Sequence, residues 1–198
     1  MDKAVRRAIS KWPNVPAVYG WLSLDRRGRW LLRGEPIENP VITAFIARNY
    51  EHDALGQWYF QNGPQRVFVD LEYTPMIVRV AEDSSFITHT DAQVSAIDGA
   101  WIDEHGRILV ATEHGAALVD DRDIELLSGW ITAANTSFSD EDELIAAIED
   151  LQRGGTADLR IEYAARPVLL RPIFAVDVPV RFRFIPHPRA TSDEVACK

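Results

Sequence analysis

Four of the five histidines in this chain lie near carboxylates, the combination that supports acid–base catalysis or metal binding. They are His52 beside Asp53, His89 near Asp91, His105 and His114. None of these groups shares a predicted helix face, and His105 and His114 fall in predicted turns. Solvated loop histidines are therefore the favoured interpretation. The sequence predicts no metal site and no cofactor.

The acidic run Asp140–Glu143 stands at the start of a predicted helix, where free N–H groups and the helix dipole favour carboxylates. Helix capping explains this run better than calcium binding, and Asp120, Asp121 and Asp123 lack the spacing of a calcium loop. The chain also has no phosphate-binding glycine loop, nucleophile elbow or His-Glu-x-x-His pair. These absences favour a protein that is not an enzyme.

The first candidate binding surface consists of Tyr59, Arg66, Phe68 and Asp70. In the predicted hairpin, Tyr59 and Phe68 are directly opposite each other on the polar face, flanked by the two charged residues. Two aromatic side chains would stand in water there unless something covered them. Four candidates could cover them: a ligand, a partner protein, the helix or the other domain.

Arg181 and Arg183 form the second candidate. They alternate with Phe182 and Phe184, which predicts two guanidinium groups on one face of a strand. This face is suited to an anion, although pairing with the acidic run Asp140–Glu143 explains it equally well.

The stretch Gln57–Glu72 positions the first candidate and predicts a β-hairpin. Pro64 has no N–H with which to close a two-residue turn at Asn62 and Gly63, so we expect Asn62 to Gln65 to form a wider loop. The resulting register pairs Gln61 with Arg66, Phe60 with Val67, Tyr59 with Phe68, and Trp58 with Val69.

Two further hairpins share the pattern Asp-x-x-Gly-Arg, at Asp25–Arg29 and Asp103–Arg107. The spacing is typical of a type I turn that is followed by a left-handed glycine. A turn at Glu113–Gly115 extends the second copy into Ala116–Val119, which predicts a three-stranded meander.

Capping signals and apolar periodicity predict three helices: Asp2–Trp12, Asn39 to His52, and a helix that begins with a capping box at Ser139 and ends at Gly154-Gly155. Three late strands are also predicted: Asp158–Tyr163, Val168–Phe174 and Val178–Ile185.

The two halves of the chain match in the order of these elements, which indicates an internal duplication of a β-β-α-β-β-β unit. We therefore predict an α+β protein of two small domains, each with an antiparallel sheet packed by one helix. The predicted domains are residues 1–94, with the leading helix, and residues 95–186. Residues 187–198 are predicted to be a disordered tail.

The net charge of −9 and the pI near 5.0 argue against nonspecific nucleic-acid binding, which depends on neutralising phosphates. The one cysteine, Cys197, allows no intrachain disulfide and no thiolate metal site. The chain lacks a signal-peptide core and any apolar run of membrane-spanning length. We expect a cytoplasmic protein with no nucleic-acid or membrane partner.

Several motifs in the first half resemble the bacterial domain-of-unknown-function 1285 (DUF1285) family and its uncharacterised relatives. They are Arg29-Trp30, Gly34-Glu-Pro36-Ile37, Phe45, Gly56-Gln-Trp58 and Val67-Phe-Val-Asp-Leu-Glu72. The likeness covers residues 18 to 81 and continues afterwards only in the order of elements. It implies two α+β domains of repeated topology. For this family, ligand binding and a role in signal transduction have been suggested.

The leading hypothesis is a non-catalytic protein that binds a small molecule or a protein partner, with a role in signalling. A hydrolase with carboxylates and histidines at a cleft between the domains is one alternative. A homodimer that uses the Tyr59 and Phe68 face, or that pairs exposed strand edges, is another.

Overall fold

A computed structural model describes residues 1–12, 15–133, 136–138 and 140–190 of the chain. The chain forms two compact units. The first contains residues 1–75, residues 89–91 and the described residues from 182 onward, and the second contains residues 76–88 and 92–181. Each has its own β-sheet, so the predicted α+β class is confirmed.

Five α-helices lie in the described part of the chain: α1 (Lys3–Lys11), α2 (Pro40–Arg48), α3 (Ile124–Ser128), α4 (Glu141–Gln152) and α5 (Val178–Phe182). A 3-10 turn precedes α3 at Asp121–Asp123, and another precedes α5 at Ala175–Asp177.

The first unit is built on β1 (Val18–Leu24), β2 (Trp30–Leu32), β3 (Glu35–Pro36), β4 (Tyr50–His52), β5 (Trp58–Asn62) and β6 (Gln65–Leu71). Their order in the sheet is β3-β2-β1-β6-β5-β4, and every neighbouring pair is antiparallel except β1 with β6. Helix α2 packs on this sheet through Phe45 and Phe60, whose ring centroids lie 5.4 Å apart. The core contains Leu24, Trp30, Ile46, Trp58, Val69 and Leu71.

The second unit is built on β7 (Met76–Val80), β8 (Phe86–Thr88), β9 (Gln93–Val94), β10 (Ile97–Ile102), β11 (Ile108–Thr112), β12 (Gly115–Val119), β13 (Ile131–Ala133), β14 (Thr136–Ser137), β15 (Leu159–Tyr163) and β16 (Arg166–Pro172). Their order is β14-β13-β15-β16-β10-β11-β12-β7-β8-β9. The pairs β10 with β16 and β12 with β7 are parallel. Helix α4 contacts β16, and the core contains Val78, Phe86, Ile102, Leu109, Leu159, Ile161 and Leu170.

The hairpin of β5 and β6 has the predicted register: Gln61 faces Arg66, Phe60 faces Val67 and Tyr59 faces Phe68. The ladder extends one pair further than expected, because Asn62 also pairs with Gln65. The loop is therefore Gly63 and Pro64. Pro64 fits in the loop because its position does not require a backbone N–H to bond to the opposite strand. Gly63 adopts a left-handed backbone with a φ of 58°. The predicted meander of β10, β11 and β12 is confirmed.

Helix α2 ends at Arg48 and not near His52. Residues Tyr50–His52 form β4 after the helix ends. Their extended backbone forms hydrogen bonds with the backbone N–H and C=O groups at the edge of β5. In α4 the N-cap is Asp140, whose carboxylate accepts a hydrogen bond from Glu143 N at 2.9 Å. Ser139, the expected cap, lies outside the described residues.

The predicted strand Val178–Ile185 is wrong. Residues 178–182 form α5, directly after the 3-10 turn Ala175–Asp177. Proline suits the first turn of a helix, where no intrahelical N–H bond is required, and Pro179 occupies this position. Because these residues are not a strand, the alternation of arginine and phenylalanine does not place the two arginines on one strand face.

The two units divide differently from the predicted boundary at residues 94–95. Strands β7 to β9 belong to the second unit, because β7 pairs with β12 and β8 pairs with β7. Residues 182–190 belong to the first unit: Ile185 N donates to Gly56 O at 2.9 Å, and Leu71 N donates to Pro186 O at 2.8 Å. Of the predicted tail, residues 187–190 are described and residues 191–198 lie outside the description.

The pairing order of the first sheet recurs within the second. The run β3-β2-β1-β6-β5-β4 has the same alternation of antiparallel and parallel pairs as β12-β11-β10-β16-β15-β13. In this alignment the element after β12 that matches α2 is α3, and α4 lies in the connection between β13 and β15. The predicted match of α4 with α2 differs from this arrangement. The duplication itself stays a prediction, which the shared order supports.

Tyr163 joins two distant parts of the second sheet. Its hydroxyl, on β15, accepts from Phe86 N at 3.0 Å and donates to Val94 O at 2.6 Å. Five strands separate β15 from β8 in the pairing order. The sheet therefore curves until these strands meet, and the rings of Tyr163 and Phe86 stack with centroids 4.9 Å apart. Burial raises the pKa of the Tyr163 hydroxyl.

We expect Tyr163→Phe to lower the free energy of unfolding by about 2 to 3 kcal/mol, because Phe86 N–H and Val94 C=O both lose their buried partner. Tyr50→Phe is the matched control. Among the described residues, the Tyr50 hydroxyl has one hydrogen-bond partner, Pro75 O, to which it donates at 3.1 Å. Tyr50→Phe therefore leaves one backbone group without its partner, whereas Tyr163→Phe leaves two. Urea denaturation measures both losses, and a smaller loss for Tyr163→Phe than for Tyr50→Phe would contradict the bridging role.

No helix among the described residues is long and apolar enough to span a membrane.

Candidate functional site

The candidate site lies where the parallel strands β10 and β16 end. Ile102 pairs with Pro172 as the last pair, and Ile173 N then donates to Ile102 O at 3.0 Å. A cavity of about 310 Å³ opens beyond this point. It is lined by Ile102, Asp103, Glu104, Gln152, Pro172, Ile173, Phe174, Asp177 and Arg181.

One wall is the Asp103–Arg107 loop, which its first residue holds rigidly. The buried Asp103 carboxylate accepts from His105 N at 2.8 Å and from Arg107 N at 2.9 Å through Oδ1. Gly106 supplies the left-handed conformation at φ 78° that closes the turn. This bonding fixes where Glu104 leaves the backbone.

Two hydrogen bonds join the walls of the cavity. Glu104 Oε2 accepts from Ala175 N at 2.8 Å, which links the loop to the 3-10 turn before α5. Gln152 Nε2, at the end of α4, donates to Asp103 O at 2.7 Å. The loop, α4 and the segment that leads into α5 are therefore held together around the opening.

Arg181 is the cation of the site. Its guanidinium carbon lies 5.2 Å from the centroid of the Trp101 ring, a cation–π contact. Within the described ranges of the chain, no carboxylate forms an ion pair with Arg181 within 4.0 Å. A guanidinium has five N–H donors, so this contact leaves donor capacity for a bound anion.

Apart from Asp177, the remaining lining is apolar. Ile102 is buried, Pro172 and Ile173 continue the strand end, and Phe174 is 64% exposed. A large aromatic side chain that is exposed beside a cavity provides surface that a bound molecule can cover.

A salt bridge occupies the corresponding place in the first unit. There Glu72 N donates to Leu24 O at 3.0 Å, just as Ile173 N donates to Ile102 O in the second. Arg26 and Glu72 form an ion pair at 2.6 Å. The matching positions after Asp103 and Pro172 are Glu104 and Ile173, which cannot form this pair.

The structure covers the predicted aromatic pair Tyr59 and Phe68. Both are buried, at 5% and 4% exposure. Tyr19 of β1 stacks on Phe68 with ring centroids 4.6 Å apart, and Arg66 lies 4.6 Å over the Tyr59 ring. Burial raises the pKa of the Tyr59 hydroxyl, and the Arg66 charge partly offsets this rise. These two aromatic side chains do not present free surface for a homodimer.

The other predicted residues lie apart from that pair. Asp70 Oδ1 is 3.3 Å from His187 Nδ1 and 3.0 Å from Arg189 Nη1, so it fastens the C-terminal segment. Arg183 follows α5 with φ 56° and does not share a strand face with Arg181. Of the six predicted residues, Arg181 alone lines the cavity.

The four histidines near carboxylates lie at separate positions in the structure. His105 and His114 occupy turns, as predicted. His114 Nε2 lies 2.9 Å from Gln93 O, and His89 packs against the rings of Trp30 and Tyr50. Over the part of the chain that the structure describes, no group of three or more His, Cys, Asp or Glu residues could hold a metal ion.

Sequence reasoning missed a third loop of the same design. Asp53 Oδ1 accepts from Leu55 N and Gln57 N, both at 2.9 Å, and Gln57 Nε2 donates to Asp53 Oδ2 at 3.0 Å. The shorter pattern Asp-x-x-Gly, without the arginine, would have found it. The cavity had no comparable signal, because its residues come from separate parts of the sequence.

Residues 1–189 match the family model DUF2944, whose description is "Protein of unknown function (DUF2946)". The chain belongs to this family. The description gives the family no function. No curated protein matches the sequence significantly.

A solved structure confirms the resemblance to the DUF1285 family at the level of fold. A DUF1285 family protein from Silicibacter pomeroyi DSS-3 has a TM-score of 0.53 and 15% identity, over 86% of this chain and 88% of that chain. Another, from Shewanella baltica OS155, has a TM-score of 0.41 and 15% identity, over 57% of this chain and 90% of that one. At 15% identity, the likeness to the first of these structures shows a similar fold and does not show a similar function.

Proposed function

We propose that this protein is a non-catalytic binding protein whose cavity at the ends of β10 and β16 takes a small molecule. The ligand carries an anionic group, which Arg181 binds, and an apolar body that lies against Ile173 and Phe174. The observation that supports this most strongly is the position of Arg181, which lines the cavity and whose guanidinium carbon lies 5.2 Å from the centroid of the Trp101 ring.

Guanidinium groups bind carboxylates and phosphates with two parallel N–H bonds, and such charge-assisted bonds are about twice as strong as neutral ones. Stacking on Trp101 restricts the rotamers of Arg181 before a ligand arrives, which lowers the entropy cost of binding. Small-molecule sites are mostly apolar, with a few fixed polar groups, and their volumes start near 300 Å³. The cavity of about 310 Å³ matches a compact ligand.

A role in signalling would follow if ligand binding changed what the protein contacts, and it rests on the family resemblance alone. The hydrolase stays an alternative hypothesis, and so does a homodimer that pairs exposed strand edges. Among the residues that the structure describes, the cavity lining contains no histidine, serine, threonine or cysteine, so it does not itself favour the hydrolase.

Titration calorimetry with small carboxylates that carry an apolar tail, such as 3-phenylpropanoate, tests the proposal. We expect binding to the wild type and at least about tenfold weaker binding to Arg181→Gln, because the charge-assisted bonds are lost.

Arg166→Gln is the matched control. Arg166 is exposed on β16 of the same unit and does not line the cavity, so affinity should be unchanged. Equal weakening by both variants would show a general charge effect and contradict the site. Absence of carboxylate binding by the wild type would overturn the proposal.

A further inference from the structure

Opposite charges face the same cavity without pairing. Asp177, the last residue of the 3-10 turn, precedes Arg181 of α5 by four residues, a spacing at which acid and base on one helix can form an ion pair. Within the described ranges, these two side chains form no pair within 4.0 Å. The guanidinium of Arg181 instead lies 5.2 Å from the centroid of the Trp101 ring. The cavity therefore has an acidic part and a basic part.

Glu104 adds to the acidic part. Its Oε2 accepts from Ala175 N at 2.8 Å, and its Oε1 lies 3.8 Å from His105 Nε2. The first bond orients the side chain, because the backbone of Ala175 is fixed in the turn before α5. A carboxylate has about four lone-pair sites, so Glu104 keeps acceptor capacity for a further donor.

A purely anionic ligand would meet Arg181 favourably and Asp177 and Glu104 unfavourably. A purely cationic ligand would leave the guanidinium without an anion. A molecule that carries both charges satisfies both parts of the site, and its apolar portion covers Phe174.

We infer that the ligand is a zwitterion of amino-acid type with an apolar side chain. Its carboxylate is bound by Arg181, and its ammonium group donates to Asp177 and Glu104. This inference rests on the proposed function, since it names the class of ligand for the same cavity.

Three probes that share one apolar body separate the contributions: phenylalanine, 3-phenylpropanoate without the amine, and 2-phenylethylamine without the carboxylate. Calorimetry should give the wild type about fivefold higher affinity for phenylalanine than for 3-phenylpropanoate, the size of effect that a partly exposed ion pair supports. The amine alone should bind more weakly than phenylalanine.

Asp177→Asn should remove most of that preference and leave the affinity for 3-phenylpropanoate unchanged or higher. Asp98→Asn, at an exposed position of β10 outside the cavity, is the matched control and should keep the preference. Circular dichroism melts confirm that each variant is folded.

Equal wild-type affinities for phenylalanine and 3-phenylpropanoate, both lost in Arg181→Gln, would overturn the zwitterion and leave the proposed function standing. Binding that is unaffected by Arg181→Gln, or no binding of any probe, would overturn the proposed function and with it this inference. A preference for phenylalanine that survives Asp177→Asn and Glu104→Gln would also overturn the assignment of the ammonium site.

Discussion

Asp103→Ala is expected to lower the free energy of unfolding by about 2 to 3 kcal/mol, because two backbone N–H groups of the loop lose a buried carboxylate acceptor. The Asp103 side chain is fully buried. It accepts from His105 N and Arg107 N, and its Oδ2 lies 3.4 Å from Arg107 Nη1. Alanine leaves two backbone donors and one guanidinium without this acceptor. Urea denaturation followed by circular dichroism measures the loss.

Asp53→Ala is the matched control, because the Asp53 loop has the same bonding pattern in a half-exposed position. Water can replace the lost acceptor there, so we expect a loss of about 1 kcal/mol. Similar losses at both positions would mean that burial does not set the strength of these loops. Asp103→Ala should also weaken ligand binding, since the loop positions Glu104.

Gly56→Ala should destabilise the first unit by about 2 to 5 kcal/mol, from left-handed backbone strain together with overpacking. Gly56 has φ 79°, and a Cβ added there would lie 2.2 Å from the carbonyl oxygen of Arg183. Backbone cannot yield as a flexible side chain can. The segment of residues 183–186 must therefore move, which breaks the hydrogen bond from Ile185 N to Gly56 O.

Gly106→Ala separates the two costs. Gly106 has φ 78° in a loop of the same pattern, and an added Cβ would meet nothing within 4 Å. This variant should cost only the backbone strain of about 1 to 2 kcal/mol. The difference between the variants measures how strongly the segment is held, and equal losses in urea denaturation would contradict that close approach.

Local patterns predicted the local structure well. The register that pairs Tyr59 with Phe68 followed from alternation and turn chemistry, which act between neighbours in the sequence. The start of α2 followed from Asn39, whose side chain accepts from Val41 N at 2.9 Å, with proline next to it. Both features depend on residues within one hairpin or one helical turn.

Pairing between distant segments was not predictable in the same way. Nothing within β7 indicates that it pairs with β12, so the division into units differed from the expected boundary. Phe68 of the hairpin is stacked against Tyr19 of β1, which alternation within the hairpin cannot reveal. The alternation around Arg181, which two apolar residues flank, predicts a strand where the structure has helix α5. Pro179 favours the first turn of a helix, and this signal decides the outcome.

Of the candidate site, the sequence supplied Arg181 and its preference for an anion. It did not supply the cavity, because Glu104, Gln152 and Phe174 come together only through the parallel pairing of β10 and β16. Arg183, the other half of the predicted pair, follows the end of α5 with a left-handed backbone and does not line the cavity.

The C-terminal segment has a consequence for how the chain folds as it is synthesised. Asp70 contacts Arg189, which is 119 residues further along the chain. A ribosome therefore delivers all strands of the first sheet, and then the whole second unit, before that sheet receives its last partner. During this interval Gly56 O and Leu71 N lack their native bonds. Translation that stalls between the two units should release a chain whose first unit is incomplete and sensitive to proteases.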